Sequence, residues 1–197
     1  MSNICLFGAS CNNIDSIYSE TAFEMGALLA ENGFGLVFGG GAVGLMGAAA
    51  QGAAAQDGEI YGIIPEKLNR PGISFDSCTK LIEVADMGER KQRMVEMSSG
   101  YVVVAGGIGT LDEFFEVLSL KQLGYIDDPI IIINTNGFYD NLLAHLHGCV
   151  KEGFTDRRYL KLFLVTDSAT EALKMLLEYV PPDVPDKITE ALHSINE

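Results

Sequence analysis

Short, wholly apolar runs alternate with longer amphipathic segments along the chain of 197 residues. The runs are continuous or rich in β-branched residues, which is typical of strands buried on both faces of a sheet. They predict seven strands, at residues 3–8, 36–38, 59–64, 81–84, 101–104, 130–133 and 162–165. Strands this short need helices packed against both faces of the sheet to bury them.

The intervening segments carry apolar residues at helical spacing. One set is Tyr18, Ala22, Met25 and Leu29, and a second is Tyr139, Leu142, Leu146 and Val150. Gly33 follows the first set as a stop signal, and residues 43–56 are rich in Ala and Gly. Ser168 and Glu171 form a capping box that begins a helix ending near Tyr179. This alternation predicts an α/β fold, a doubly wound, mainly parallel Rossmann-like sheet with helices on both faces.

The chain divides near residue 180. We predict that residues 1–180 form one nucleotide-binding domain, whose core ends at the proline-rich segment 181–185. Residues 181–197 form a C-terminal tail. In this tail Ile188, Leu192 and Ile195 predict a short amphipathic helix that could dock on the body or on a second subunit.

The charge balance excludes two classes of partner. The net charge is -14, from 13 Lys plus Arg against 27 Asp plus Glu, which argues against a nucleic acid polymer or a membrane as partner. The residues before the first strand lack a basic segment, so we expect no signal peptide, and the longest aliphatic run, Ile130 to Ile133, is too short to span a bilayer. An anionic ligand would therefore need a local positive site.

Cysteine usage predicts a cytoplasmic protein without a metal site. Cys5, Cys11, Cys78 and Cys149 show no C-x-x-C spacing, and three scattered histidines add no metal-binding pattern. We interpret the cysteines as reduced thiols.

A glycine-rich loop at residues 105–110 is the strongest candidate for a ligand site. It follows the fifth strand and opens a helix, so its N–H groups and the helix dipole predict an anion site to which Thr110 adds a hydroxyl. Three glycines in four positions, Gly106, Gly107 and Gly109, exceed what a turn needs. We therefore favour phosphate binding over an unliganded turn.

A second glycine motif, at residues 39–44, fits G-x-G-x-x-G. It follows the second strand rather than the first, and Glu66 lies beyond the next strand instead of ending it, so a dinucleotide fingerprint is weak. Two explanations of the motif remain open: Gly40 and Gly41 contact a ligand, or the glycines allow the helix to pack closely on the sheet. Ser10, after the first strand, could face the same crevice.

Basic residues concentrate just before the strand that leads into the 105–110 loop. Arg90, Lys91 and Arg93 account for three of the 13 basic residues. A solvated helix face is the usual explanation of such a run. Its position beside the loop favours a role for Arg90 in binding phosphate or a leaving group.

Acidic residues occupy the first turns of the helix after that loop. Asp112, Glu113 and Glu116 could simply stabilise the helix dipole. However, carboxylates beside a phosphate site repel the negative charge of the phosphate, which stability alone would not favour. Cleavage of a glycosidic bond, by contrast, needs a carboxylate to stabilise an oxocarbenium-like sugar or to activate water. Glu113 and Glu116, three residues apart, share a helix face.

Together these motifs resemble the Lonely Guy family of cytokinin riboside 5′-monophosphate phosphoribohydrolases, often mislabelled lysine decarboxylases. The family signature is P-G-G-x-G-T-x-x-E with an upstream R-K pair, and this chain has A-G-G-I-G-T-L-D-E at 105–113 and Arg90-Lys91. The resemblance includes residues 39–47, 122–124 and 134–140, and so runs from about Ile4 to Tyr179.

The resemblance implies hydrolysis of a nucleoside 5′-monophosphate, such as AMP or a cytokinin riboside monophosphate, to free base and ribose 5-phosphate. Arg90 and Glu113 match the catalytic pair of the family. The nucleotide-binding residues expected with them are Ser10, Gly40, Gly41, Lys91, Gly106, Gly107, Gly109, Thr110 and Glu116. The resemblance implies no metal or organic cofactor, and it implies a homodimer.

The sequence also departs from the family pattern. Ala105 replaces the motif proline, Gly88 stands where a histidine is common, and residues 69–74 lack the acidic residue that many members place near the base. The main alternative is a non-catalytic nucleotide or cofactor carrier of related fold, which would not need both Arg90 and Glu113. An NAD-dependent dehydrogenase is weaker, and a pyridoxal-phosphate decarboxylase lacks a recognisable Schiff-base lysine.

Overall fold

The computed structural model describes residues 2–189. Its strands are β1 (Asn3–Phe7), β2 (Gly35–Phe38), β3 (Ile60–Pro65), β4 (Lys80–Val84), β5 (Tyr101–Val103), β6 (Ile130–Ile133) and β7 (Leu164–Thr166). Its helices are α1 (Ser16–Glu31), α2 (Gly44–Ala55), α3 (Met87–Glu96), α4 (Ile108–Gln122), α5 (Asp140–Lys151) and α6 (Ala169–Leu177). Two short 3-10 helices lie at Thr135–Gly137 and Arg157–Lys161.

The seven strands form one sheet in the order β4-β3-β2-β1-β5-β6-β7, and every neighbouring pair is parallel. The predicted Rossmann-like α/β fold is confirmed. Strand β7 begins two residues later than predicted, because Leu162 caps the preceding 3-10 helix and Phe163 packs into the core instead of pairing.

Alternating strand residues supply two cores. Ile4 and Leu6 of β1 pack on the side of α1, α2 and α6. Cys5 and Phe7 pack on the opposite side, which is covered by α3, α4 and α5. Because every strand in the middle of the sheet is buried on both faces, the sequence shows continuous apolar runs rather than alternation.

The direction of strand order reverses between β1 and β5. The chain proceeds from β1 through β2 and β3 toward one edge, and from β5 through β6 and β7 toward the other. Ligands in open parallel sheets bind in the crevice beyond the carboxyl ends of the strands at such a reversal. The crevice here lies between the loops that follow Phe7 and Val103.

The helices begin in two different ways. Asp15, Asp86 and Ser168 cap α1, α3 and α6 by accepting backbone N–H bonds. Within residues 2–189, the N-cap residues of α2, α4 and α5, in contrast, make no side-chain hydrogen bond to the helix that follows them. Two of these N-termini, those of α2 and α4, flank the crevice.

The segment that leads into the tail packs at the opposite end of α4, and Asp186 of the tail lies beside Gly124 there. Lys121 is 5% exposed, and its ammonium group donates to the Asp128 carbonyl and the Tyr179 hydroxyl. Burial lowers the pKa of Lys121 to about 8. Asp186 accepts the Thr189 N–H and begins a helical turn at residues 187–189, whereas Leu192 and Ile195 of the predicted tail helix lie outside the described residues. Over residues 2–189, none of the helices has the length and apolar character needed to cross a membrane.

Candidate functional site

A cleft of about 310 Å³ opens at the crevice where the strand order reverses. Its walls come from the loop after β1, from α2 and α3, and from the first turns of α4. A volume of this size lies at the lower end of the range for small-molecule sites. The residues predicted from sequence that line it are Ser10, Arg90, Gly107, Gly109, Thr110 and Glu113.

The N-terminus of α4 is open toward this cleft. The first backbone bond of the helix runs from the Leu111 N–H to the Gly107 carbonyl, at 3.0 Å. In the described part of the chain, the N–H groups of Ile108, Gly109 and Thr110 have no hydrogen-bond partner. Three free donors and the positive end of a helix dipole form a site for an anion.

Two glycines in this loop are not required by the fold. A Cβ atom built at Gly107 or Gly109 would meet no atom within 4 Å, and neither residue has a positive φ. A residue with a side chain could adopt the same backbone, so the glycines leave space in the cleft. This observation supports close approach of a ligand to the loop.

Gly106 differs from its neighbours. A Cβ atom at this position would lie 2.1 Å from Oγ1 of Thr110, a side chain that is only 3% exposed. Gly106 does not line the cleft. Its glycine is therefore explained by the packing of Thr110 beneath the loop.

The N-terminus of α2 is occupied by protein groups. Oδ1 of Asn12 accepts the Gly44 N–H at 2.8 Å, and the Ala9 carbonyl accepts the Leu45 N–H at 2.8 Å. Gly40 and Gly41 do not line the cleft. Close packing accounts for Gly39 and Gly44 of the G-x-G-x-x-G motif, where an added Cβ atom would meet Arg90 or the Ala9 carbonyl. Of the two helix N-termini that flank the crevice, that of α4 is the one open to a ligand.

Arg90 is held in a fixed position at the ends of β2 and β3. Its side chain is buried, with Nε donating to the Ile63 carbonyl at 3.2 Å and Nη2 donating to the Gly39 carbonyl at 3.2 Å. Nη1 lies 3.4 Å from Oε1 of Glu113. A Cβ atom at Gly39 would lie 1.6 Å from Nη2, so this glycine is required by the approach of the guanidinium group.

Glu113 is a buried carboxyl group beside a buried cation. It is 7% exposed, and burial raises its pKa to about 7, although Arg90 acts in the opposite direction. Desolvation outweighs the ion pair because a carboxylate loses its hydration when it is enclosed by apolar groups. Both protonation states of Glu113 are therefore accessible near neutral pH, as is typical of a catalytic carboxyl group.

Lys91 and Glu116 lie outside the cleft. Lys91 Nζ is 2.6 Å from Glu116 Oε2 and 3.0 Å from Asp112 Oδ2, and its hydrogen bond to Glu116 is the main cause of its raised pKa. With Glu113, the Lys91–Glu116 pair borders a separate cavity of about 10 Å³. These ion pairs tie α3 to α4, and thus link the helices that carry Arg90 and Glu113.

Sequence patterns did not predict an apolar pocket of about 150 Å³ beside the cleft. It shares Ala9, Cys11 and Gly107 with the cleft, and Tyr18 and Phe138 line its far side. The two rings pack edge to face with centroids 5.8 Å apart. Tyr18 and Phe138 lie far apart in the sequence, so no local pattern predicted that they would meet.

The site thus combines an anion-binding helix end with a buried Arg–Glu pair. Such a site suits a phosphorylated ligand in which charge develops about one helical turn away from the phosphate. Over residues 2–189, no group of three or more His, Cys, Asp or Glu side chains is arranged to hold a metal ion.

Comparisons with known proteins identify the family to which the chain belongs. The family model described as possible lysine decarboxylase matches residues 46–176. Cytokinin riboside 5′-monophosphate phosphoribohydrolase LOG3 of Arabidopsis thaliana is 36% identical over 180 residues, covering 90% of this chain and 83% of that protein. LOG7 of the same plant is 34% identical over 189 residues, covering 96% of this chain and 86% of that protein.

Solved structures share the fold at lower identity. The molybdenum cofactor binding protein of the phototrophic bacterium Rippkaea orientalis is 21% identical, with a TM-score of 0.70 over 90% of this chain and 96% of that one. The molybdenum cofactor carrier protein of Chlamydomonas reinhardtii is 23% identical, with a TM-score of 0.69 over 90% of this chain and 99% of that one. At these identities the likeness concerns the fold alone.

Proposed function

Because this chain belongs to the Lonely Guy family of cytokinin riboside 5′-monophosphate phosphoribohydrolases, we propose that it hydrolyses the N-glycosidic bond of a nucleoside 5′-monophosphate. The products are the free base and ribose 5-phosphate. One observation carries the proposal, namely that the open N-terminus of α4 and the buried Arg90–Glu113 pair line the same cleft.

The 5′-phosphate binds at the N-terminus of α4. The free N–H groups of Ile108, Gly109 and Thr110 donate to its oxygens, and the absence of side chains at Gly107 and Gly109 lets it approach the backbone. This contact fixes the ribose next to Glu113, one helical turn further along. In a protein of net charge -14, such a local site is what allows an anion to bind.

Cleavage breaks the bond between C1′ and the base nitrogen, and the bonding electrons leave with the base. Positive charge develops on the ribose, and the Glu113 carboxylate stabilises it or orients the attacking water. The water oxygen bonds to C1′ and gives ribose 5-phosphate, while its released proton balances the negative charge of the departing base. Arg90 holds the phosphate or ribose, or stabilises the leaving base. Its three fixed contacts leave little freedom to reorganise.

The remaining predicted residues have supporting roles in this proposal. Ser10 lines the cleft and can donate to the nucleotide. Lys91 and Glu116 act from outside the cleft by tying α3 to α4. Gly40, Gly41 and Gly106 shape the surrounding loops.

The proposal includes a cytoplasmic homodimer. The cysteines of residues 2–189 are all unpaired, which suits a reducing compartment. An apolar groove between α4 and α5 exposes part of Phe115, and α5 contains no fully buried residue. A second copy packed on this groove would bury it.

A panel assay tests the activity. Purified protein is incubated with AMP, other nucleoside 5′-monophosphates and a prenylated adenosine monophosphate, and released base is measured by chromatography, with adenosine as the unphosphorylated control. Base released from a monophosphate but not from adenosine is the expected result. Tight binding of AMP without cleavage of any member of the panel would instead support a non-catalytic carrier.

A further inference from the structure

The loop that forms the anion site is held from behind by one tyrosine. Tyr139 is 3% exposed, and its hydroxyl group donates to the Val104 carbonyl at 2.9 Å. Val104 directly follows β5 and is the last residue before the glycine-rich loop. The hydroxyl group therefore contacts the backbone at the point where the loop begins.

The same hydroxyl group also interacts with the loop itself. Burial raises the pKa of the Tyr139 hydroxyl, whereas the backbone N–H of Gly106 near it acts in the opposite direction. Between these two contacts, the Ala105 carbonyl accepts the Ala9 N–H at 3.1 Å. The backbone from Val104 to Gly106 is thus tied to Tyr139 and to the loop after β1, and it contains no proline that would restrict its φ.

The ring of Tyr139 is itself held in place by the loop between β6 and α5. Oδ1 of Asn134 accepts the Tyr139 N–H at 2.7 Å, and the Asn134 amide donates to Oδ1 of Asp140 at 2.8 Å. The ring packs edge to face against Phe138, with centroids 4.9 Å apart. These contacts restrict where the hydroxyl group can lie.

We propose that Tyr139 is a positioning residue, whose hydroxyl group holds the 104–107 backbone so that the free N–H groups of α4 converge on the phosphate of the substrate. This role rests on the proposed function, since it assumes that the phosphate binds at α4. Anion recognition by backbone donors depends on their mutual orientation, and a loop rich in glycine gives little orientation by itself.

Tyr139→Phe keeps the ring and removes the hydroxyl group. Tyr101→Phe is the matched control, because Tyr101 is equally buried and its hydroxyl group has no hydrogen-bond partner within residues 2–189. We expect Tyr139→Phe to weaken binding of ribose 5-phosphate about tenfold and to raise the KM for AMP by a similar factor, as the loss of one buried hydrogen bond predicts. The inhibition constant of adenosine, which has no phosphate, should stay the same, and Tyr101→Phe should alter none of these values.

The outcomes separate the two proposals. If wild-type protein binds ribose 5-phosphate without shifting the amide NMR signals of residues 106–110, the phosphate site itself is wrong. If those signals shift but Tyr139→Phe binds ribose 5-phosphate as tightly as wild type, or loses adenosine equally, the role of Tyr139 is overturned. If Tyr139→Phe does not fold, hydrogen exchange of wild type decides. A Gly106 amide that exchanges as fast as that of Ile108 would refute the anchor, and a protected one would support it.

Discussion

Replacing Glu113 by Gln removes an ionisable group from the cleft while preserving its size and its ability to hydrogen-bond. Because burial raises the pKa of Glu113 to about 7, the folded protein binds a proton at pH values where the unfolded chain has already released it. The stability that this proton contributes is fully present below pH 4.5, the ordinary value for the group, and is lost as pH rises through about 7. The Gln variant has no such dependence.

The size of the effect follows from the pKa. A shift from 4.5 to about 7 corresponds to about 3 kcal/mol, since each unit is worth about 1.4 kcal/mol. At 7% exposure, Glu113 is screened little by solvent. The wild-type protein should therefore lose about 3 kcal/mol relative to Glu113→Gln between pH 4.5 and pH 8.

Urea unfolding of both proteins at pH 5 and pH 8 measures this difference, and other titrating groups cancel because the two chains share them. Most of the shift should appear between these two values. Glu171→Gln is the matched control, because it removes a carboxylate from an exposed i,i+3 pair with Lys174. It should change the free energy of unfolding by less than about 1 kcal/mol at either pH.

The same substitution tests the chemistry. If the carboxylate stabilises positive charge on the ribose, kcat/KM for AMP should rise with pH through about 7 in the wild type. Glu113→Gln should lose about 100- to 1,000-fold in kcat while still binding AMP. A difference in unfolding free energy that does not change with pH would refute the assigned effect of burial. A variant that releases base at the wild-type rate would refute the mechanism.

Three further predictions concern other parts of the site and the assembly. Arg90→Ala leaves the Ile63 and Gly39 carbonyls and the buried Glu113 without their partner, so kcat/KM should fall about 100-fold or more and AMP should bind more weakly. The control Arg93→Ala, which removes an exposed ion pair on the same helix, should change neither value. Gly109→Ala should raise the melting temperature slightly but weaken AMP binding at least tenfold in a titration, because the added Cβ atom would occupy the space of the ligand. The control Gly148→Ala, also within a helix, should not weaken AMP binding. Light scattering at micromolar concentration should give about twice the 21.2 kDa chain mass, and a mass near 21.2 kDa would contradict the homodimer.

The sequence determined the architecture because the information for it is local. Seven continuous apolar runs and the helical spacing between them required a sheet covered on both faces, and the structure places a strand at every one of them. The anion site at residues 105–110 could also be predicted from the sequence, because a glycine-rich turn at the start of a helix exposes backbone N–H groups in any fold. Arg90 and Glu113 were candidates because of their positions beside the 105–110 loop, and the resemblance to a family motif then singled them out as a pair.

What tertiary structure alone decided is which groups meet. Residues 39–44 and 105–110 look equivalent as glycine motifs, yet Ala9 and Asn12 occupy the N-terminus of α2, while that of α4 stays open. This difference depends on the order of strands in the sheet, which is set by packing between residues far apart in the chain. Tyr139 lies 35 positions from Val104, and no spacing rule connects them. The pKa of Glu113 likewise depends on burial, a property of the assembled core that local sequence does not encode.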